Sequence, residues 1–248
     1  MDFLYAEFSI LIRLGLVFLV IVFVVYLLPK YILYVTSTYR KATGKSVFRL
    51  LNDVGALGEY RVYKCLRKYE KQGARFLFNT YLPKGNSGET TEIDVIMIYC
   101  QGVFVFESKN YSGWIFGNEK YKMWTKTLPQ GKGKKAKKEK FFNPVMQNKL
   151  HIKCLREALE NDLDGIPVFS VVVFSNRCEL KKIELASNET QVIKRAQLSL
   201  LVRKLCKISN SQLLSYEKIE SLYETLYPLT QFSDEIKQKH IDDIQKHL

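Results

Sequence analysis

The sequence predicts an α/β domain, a mixed sheet flanked by helices, preceded by one transmembrane helix. Three observations predict it. A mostly apolar stretch from Phe8 to Leu28 is long enough to cross a bilayer as a helix. Two apolar runs, Thr91 to Ile98 and Val103 to Lys109, flank a tight turn near Cys100-Gln101-Gly102 and read as paired strands. A capped helix over 144–160 lies between strand 103–108 and the apolar run Pro167 to Phe174, the order of a parallel crossover unit.

The N-terminal segment comes first. Residues 1–7 form a short tail and 8–28 the span. Arg13 falls in its first turns, where a long side chain snorkels to the interface. Asp2 and Glu7 stand where a signal peptide carries basic residues, and no small-residue cleavage site follows. A buried core helix is the other reading of such a stretch. No Lys or Arg precedes the span, whereas Lys30, Arg40, Lys41, Lys45 and Arg49 follow it. The positive-inside rule then places the C-terminal bulk in the cytoplasm. Residues 29–52 read as a juxtamembrane linker, with Pro29 marking the exit from the span.

Composition bounds the rest. A chain of 248 residues with 47% hydrophobic content has room for one substantial domain and an appendage. A net charge of +13 points to an anionic partner, either nucleic acid or acidic lipid. The five cysteines (65, 100, 154, 178, 206) are scattered, and two of the three histidines lie near the C-terminus. That spacing offers no zinc site and suits unpaired thiols in a reducing compartment.

Next, Val54 to about Tyr69 reads as a helix whose Glu59, Val62 and Leu66 share one stripe. A carboxylate aimed at a core needs a partner, and a nearby lysine is the plain choice. Arg75 to Leu82 reads as a strand, and Pro83 to Gly88 as a turn.

The hairpin follows. With a two-residue loop, Asp94 falls on the same face as Glu107 and Lys109, because opposed residues of an antiparallel pair share a face and side chains alternate; a three-residue loop would break that parity. An E-x-K on a strand is commonly a solvated edge. Two carboxylates and a lysine gathered on one face instead ask for a cation, and a divalent metal supplies it.

Between Lys126 and Lys140 lies a glycine-interrupted lysine run that reads as a solvated loop. Its Lys132, Lys134, Lys135, Lys137 and Lys138 either contact a phosphate backbone or simply keep the loop soluble. Asn143-Pro144 then opens a helix, with Asn as N-cap and Pro at the first helical position. Gln147, Leu150, Cys154 and Ala158 fall on its inward stripe. His151 lies one turn after Gln147 and reads as a packed core histidine or as a second group facing the same cleft. Beyond Asn176 a short strand near Gln191–Ile193 and helices over 196–206, 215–227 and 233–248 complete the chain.

This order of elements, with acids at these places, resembles the PD-(D/E)xK phosphodiesterase superfamily, and residues Gly55 to Arg177 resemble its nuclease-related domain (NERD) family. The residues that carry the likeness are Gly55-x-x-Gly58-Glu59, Glu92-Ile93-Asp94, Gly102-Val103, Glu107-Ser108-Lys109-Asn110, Gly113, Trp124 and Asn143-Pro144-x-x-Gln147. Ile93 stands where the superfamily motif has its proline. The resemblance implies a PD-(D/E)xK nuclease-like mixed sheet over 53–178 and a mostly helical extension over 179–248. It implies Mg²⁺ or Mn²⁺ held by Asp94, Glu107 and the Ser108 carbonyl. Lys109, Glu59 and Gln147 complete the implied catalytic set. The implied activity is hydrolysis of nucleic acid, DNA before RNA, by an enzyme tethered to the membrane. The competing reading is a tethered scaffold of the same fold that grips nucleic acid or anionic lipid without cutting.

Overall fold

The computed structural model describes residues 2–85, 87–131, 135–208 and 213–231, and it divides into two units, Met1–Asn52 and Asp53–Leu248. The expected helix over 233–248 lies outside the described residues, as do Lys132 and Lys134.

In the first unit, α1 (Asp2–Val22), a π-helical turn (Phe23–Leu27) and α2 (Leu28–Val35) follow without a break. Glu7–Val35 is long and apolar enough to cross a membrane, with a mean hydropathy of 2.9 over its most apolar window and none of that window buried inside the protein. Pro29 therefore does not end the helix. Proline lacks the N–H and clashes with the carbonyl four residues back, and the widened π turn just before it is the usual accommodation. The expected linker is itself folded, as α3 (Thr38–Thr43) and α4 (Val47–Asn52). Ser37 caps α3 by accepting the Arg40 N–H, and Gly44 ends it in the left-handed conformation at φ 66°.

The second unit begins with α5 (Val54–Leu66), whose N-cap Asp53 accepts the Ala56 N–H at 2.9 Å. Strands β1 (Arg75–Pro83), β2 (Thr90–Tyr99) and β3 (Gly102–Lys109) form an antiparallel meander. Then come β4 (Gly113–Asn118), β5 (Met123–Leu128), β6 (Lys137–Phe142), α6 (Pro144–Leu159), β7 (Val168–Phe174), β8 (Cys178–Glu184), β9 (Thr190–Lys194), α7 (Leu198–Ile208) and α8 (Tyr216–Leu226). The main sheet has the order β1-β2-β3-β7-β9, with β3, β7 and β9 parallel. The crossover through α6 is therefore present. A second sheet, β6-β5-β4-β8, was not anticipated from the sequence. The described residues after 178 are also less helical than expected, because β8 and β9 pair into the two sheets, while α8 buries Ile219, Leu222 and Leu226 in the main core.

The hairpin loop is Cys100-Gln101, since Tyr99 faces Gly102. Gly102 has φ 136°, and a Cβ there would sit 2.3 Å from the Pro167 carbonyl oxygen, so only glycine fits. One face of the main sheet packs Ile96, Ile98, Val103 and Val105 against Leu155 and Leu159 of α6. The other carries Phe76 and Phe78, each edge-on to Tyr63 of α5. Gly58 brings α5 down onto β3: a Cβ there would lie 2.8 Å from Ser108 Oγ and 2.9 Å from Asn110 Cβ.

Candidate active site

Register sets the first two acids. Val95 faces Phe106 across the two-residue loop, so the next position brings Asp94 beside Glu107. Strand β2 changes phase at this point, because Ile98 and Ile96 but then Ile93 and Thr91 lie on the α6 side. Asp94 is half-buried, and its Oδ2 accepts the Ser108 N–H at 2.7 Å. Glu107 is buried, 1% exposed. Its Oε1 lies 2.6 Å from Lys109 Nζ, and its Oε2 is 3.0 Å from His151 Nε2. Lys109 Nζ also donates to Gln147 Oε1 at 3.0 Å.

Helix α6 reaches this cluster because its start is pinned. The buried Asn143 accepts the Val145 and Met146 N–H groups and donates to the carbonyls of Glu119 and Tyr121. The inward stripe is wider than the expected one, of which Cys154 is buried and Ala158 packs on the core. Leu150 is exposed, while His151, Leu155 and Leu159 are buried in line with Gln147. His151 thus faces the cleft, a placement that only its position four residues after Gln147 foreshadowed. Its Nδ1 is 2.8 Å from Thr91 Oγ1. An ionised carboxylate only accepts, so in the neutral ring Nε2 carries the proton to Glu107 and Nδ1 accepts the Thr91 hydroxyl.

Glu59 arrives from α5 and is 8% exposed. Asn79 Nδ2 links it to a second acid, at 3.3 Å from Glu59 Oε2 and 2.9 Å from Glu92 Oε1. Asn79 sits opposite Asp94, between the pairs Phe78–Val95 and Thr80–Ile93, and has φ 51°. A left-handed residue inside a strand is costly unless its surroundings hold it, and asparagine tolerates it better than most. Sequence reasoning missed Asn79; a lone amide amid Phe76-Leu77-Phe78 was the available signal.

The electrostatics are uneven. Burial, then repulsion from Glu107 and Glu59, holds the Asp94 carboxyl well above its ordinary pKa, against the pull of Lys109 and the Ser108 N–H. Burial works to raise Glu107 as well, but Lys109 and then His151 outweigh it and hold that carboxyl below the usual range. Burial works to lower Lys109, and Glu107, Tyr111 and Asp94 overcome it to keep the ammonium protonated. The cluster therefore holds one neutralised acid and one under strain, and a hard cation is the group that would relieve Asp94. A donor set of carboxylate oxygens suits a hard divalent cation. Among the described residues no three His, Cys, Asp or Glu side chains already stand in coordinating array, consistent with Lys109 and His151 occupying the two oxygens of Glu107.

The described lysines of the run lie elsewhere. Lys137 and Lys138 belong to β6, at the edge of the second sheet, instead of the expected loop. Lys137 pairs with Glu139 at 2.7 Å, and Lys135 and Lys138 are exposed. Lysines on an edge strand discourage sheet-to-sheet association.

Residues 54–175 match the model of a family described as nuclease-related domain. An uncharacterized protein of Bacillus anthracis is 32% identical over 187 residues, which cover 75% of this chain and 82% of that one. Among solved structures, Can2 from Sulfobacillus thermosulfidooxidans, determined with cyclic tetra-adenylate, is 19% identical with a TM-score of 0.31. The match covers 62% of this chain and 37% of that one.

Proposed function

The chain belongs to the nuclease-related domain family, and on that premise we propose that it is a membrane-anchored, metal-dependent nuclease acting on DNA. The observation that carries this reading is the convergence of Glu107, Lys109, His151 and Gln147 beside Asp94 at one end of the main sheet. Asp94, Glu107 and the Ser108 carbonyl would hold Mg²⁺ or Mn²⁺. Such a cation activates water for attack on phosphorus and offsets the charge that builds on the phosphate.

The chain's own groups do the positioning. Lys109 holds a proton beside Glu107 and can donate to a phosphate oxygen, and Gln147 orients its ammonium. His151 fixes Glu107 through Nε2. Glu59 adds negative charge that favours cation entry and is itself held by Asn79. The domain division proposed is an anchor over 8–28, a connector over 29–52, a nuclease-like domain over 53–178 and an extension over 179–248. Free thiols and the basic residues after the span support a cytoplasmic domain.

A second reading rests on one observation. Lys109 already neutralises Glu107, which suits a scaffold that binds nucleic acid or anionic lipid without cutting. Nicking separates the two. The full chain in detergent micelles should nick plasmid DNA with Mg²⁺ or Mn²⁺ and stop on chelation, with an RNA of matched sequence cut more slowly. Asp94→Ala or Lys109→Ala should abolish nicking; equal activity in wild type and both variants sinks the enzyme reading.

A further inference from the structure

Beside the acidic cluster, where β3, β7 and β9 end, lies a shallow, closely packed surface depression that shares Ser108 and Lys109 with the proposed chemistry. Gly58 of α5, Ser108, Lys109, Asn110, Ser175 and Arg195 line it. Three arginines gather around it from separate elements. Arg195 directly follows β9, and Arg61 lies on α5 one turn after Gly58. Arg177, in the turn between β7 and β8, donates to the Asn110 carbonyl at 2.9 Å and to Asn110 Oδ1 at 3.2 Å.

These guanidiniums are close enough to feel one another. Burial, then repulsion from Arg195 and Arg177, lowers the Arg61 pKa. Among the described residues none of the three forms an ion pair with a carboxylate. Cations from α5 and from the chain just after β7 and β9, two of them half-buried, are brought together here without a carboxylate. Guanidinium forks match the oxygens of a phosphate in paired hydrogen bonds. Ser108 and Lys109 line the groove and also belong to the acidic cluster, so an anion here stands next to the reacting centre.

We propose that Arg61 and Arg195, with Arg177 locked against Asn110, form a phosphate subsite that holds the nucleic-acid backbone beside the scissile bond. The identity of the polymer rests on the nuclease reading; the anion site rests on the arginines gathered at the rim of the groove.

The test is oligonucleotide binding by the full chain in detergent micelles, read by fluorescence anisotropy in EDTA across a salt series. Each phosphate contact contributes about 0.7 to 0.9 to the slope of log affinity against log salt. Arg61→Gln/Arg195→Gln should therefore flatten the slope by about 1.4 to 1.8 and weaken binding roughly tenfold or more at low salt. Arg61→Lys/Arg195→Lys should keep the slope while still losing affinity, because charge is retained and the fork is not. Lys120→Gln/Lys153→Gln removes two exposed charges elsewhere and should change neither. An arginine pair that behaves like this lysine pair overturns the proposal. So does an arginine variant that binds oligonucleotide normally but loses thermal stabilisation by phosphatidylglycerol, which would make the groove a lipid site. Chelation separates the readings. A wild type that binds in this arginine-dependent way but never nicks sinks the nuclease reading and leaves the groove, whereas a nicking wild type with a normal slope in the arginine variant sinks the groove alone.

Discussion

Replacing Asp94 with asparagine should stabilise the cation-free protein while abolishing cleavage. The substitution keeps the side-chain shape and an oxygen for the Ser108 N–H, and removes one charge. That charge is disfavoured by burial first and by Glu107 and Glu59 next, with Lys109 and the Ser108 N–H opposing. Each unit by which a carboxyl is raised costs its ionised form about 1.4 kcal/mol. Asp94→Asn should thus melt higher than wild type, each kcal/mol gained appearing as about 2–4 °C in Tm for a domain of this size. The pH dependence has a fixed sign. A raised carboxyl contributes stability that is complete below its unfolded value, about 3.9, and is lost as pH rises through its higher folded value. The advantage of the asparagine should therefore grow as pH rises from the unfolded value through the higher folded value and fade towards about pH 4. Thermal unfolding of the full chain in detergent micelles with chelator reads it directly. A variant that melts at or below wild type near about pH 8, or a difference that ignores pH, refutes the electrostatic account of the site.

Two further outcomes follow from the same geometry. Mn²⁺ at about a hundred times its dissociation constant should stabilise wild type by roughly 2.7 kcal/mol, and this increment should be absent from Asp94→Ala in the same melting assay; an equal rise in both proteins would place the ion elsewhere. Asn79→Gly should melt higher than Asn79→Ala by about 1 kcal/mol, because alanine keeps the left-handed strain and glycine does not. Both should nick more slowly through loss of the amide between Glu59 and Glu92, and an alanine variant as stable as the glycine one would show that the backbone there carries no strain.

How much was legible depended on the length and polarity of each segment. The β2–β3 hairpin was legible because two long apolar runs flank a turn with one workable loop length, and the register follows from it. The start of α6 was legible because Asn143-Pro144 is a strong local signal whatever surrounds it. The second sheet was not. β6 reads Lys137-Lys138-Glu139-Lys140 before any apolar residue, and such an edge strand is decided by its neighbour β5, not by its own pattern. The partner of Glu59 was equally hidden. The stripe on α5 called for a buried partner, but that partner is the amide of Asn79, positioned by an unusual φ that no periodicity reveals.

The location of the candidate site has a simple structural cause. Three apolar stripes meet in the main core: Ile98 and Ile96 on β2, Val103 and Val105 on β3, and Leu159 and Leu155 on α6. Followed towards the same end of the sheet, β3 turns polar on that face at Glu107 and Lys109 and α6 at His151 and Gln147. Strand β2 instead changes phase opposite the left-handed Asn79, so that Ile93 and Thr91 continue its core stripe and Asp94 arrives beside Glu107. The packing that aligns the hydrophobic parts of β3 and α6 therefore aligns their polar continuations, and the break at Asn79 adds Asp94 to them. This also accounts for the tolerance of so much buried charge. The cost of desolvating Glu107 and Lys109 falls on elements already fixed by close-packed neighbours, where a misplaced carboxylate has nowhere to relax. It follows that shifting the phase of α6 by even one residue would move Gln147 and His151 together away from Glu107, leaving that acid dependent on Lys109 alone.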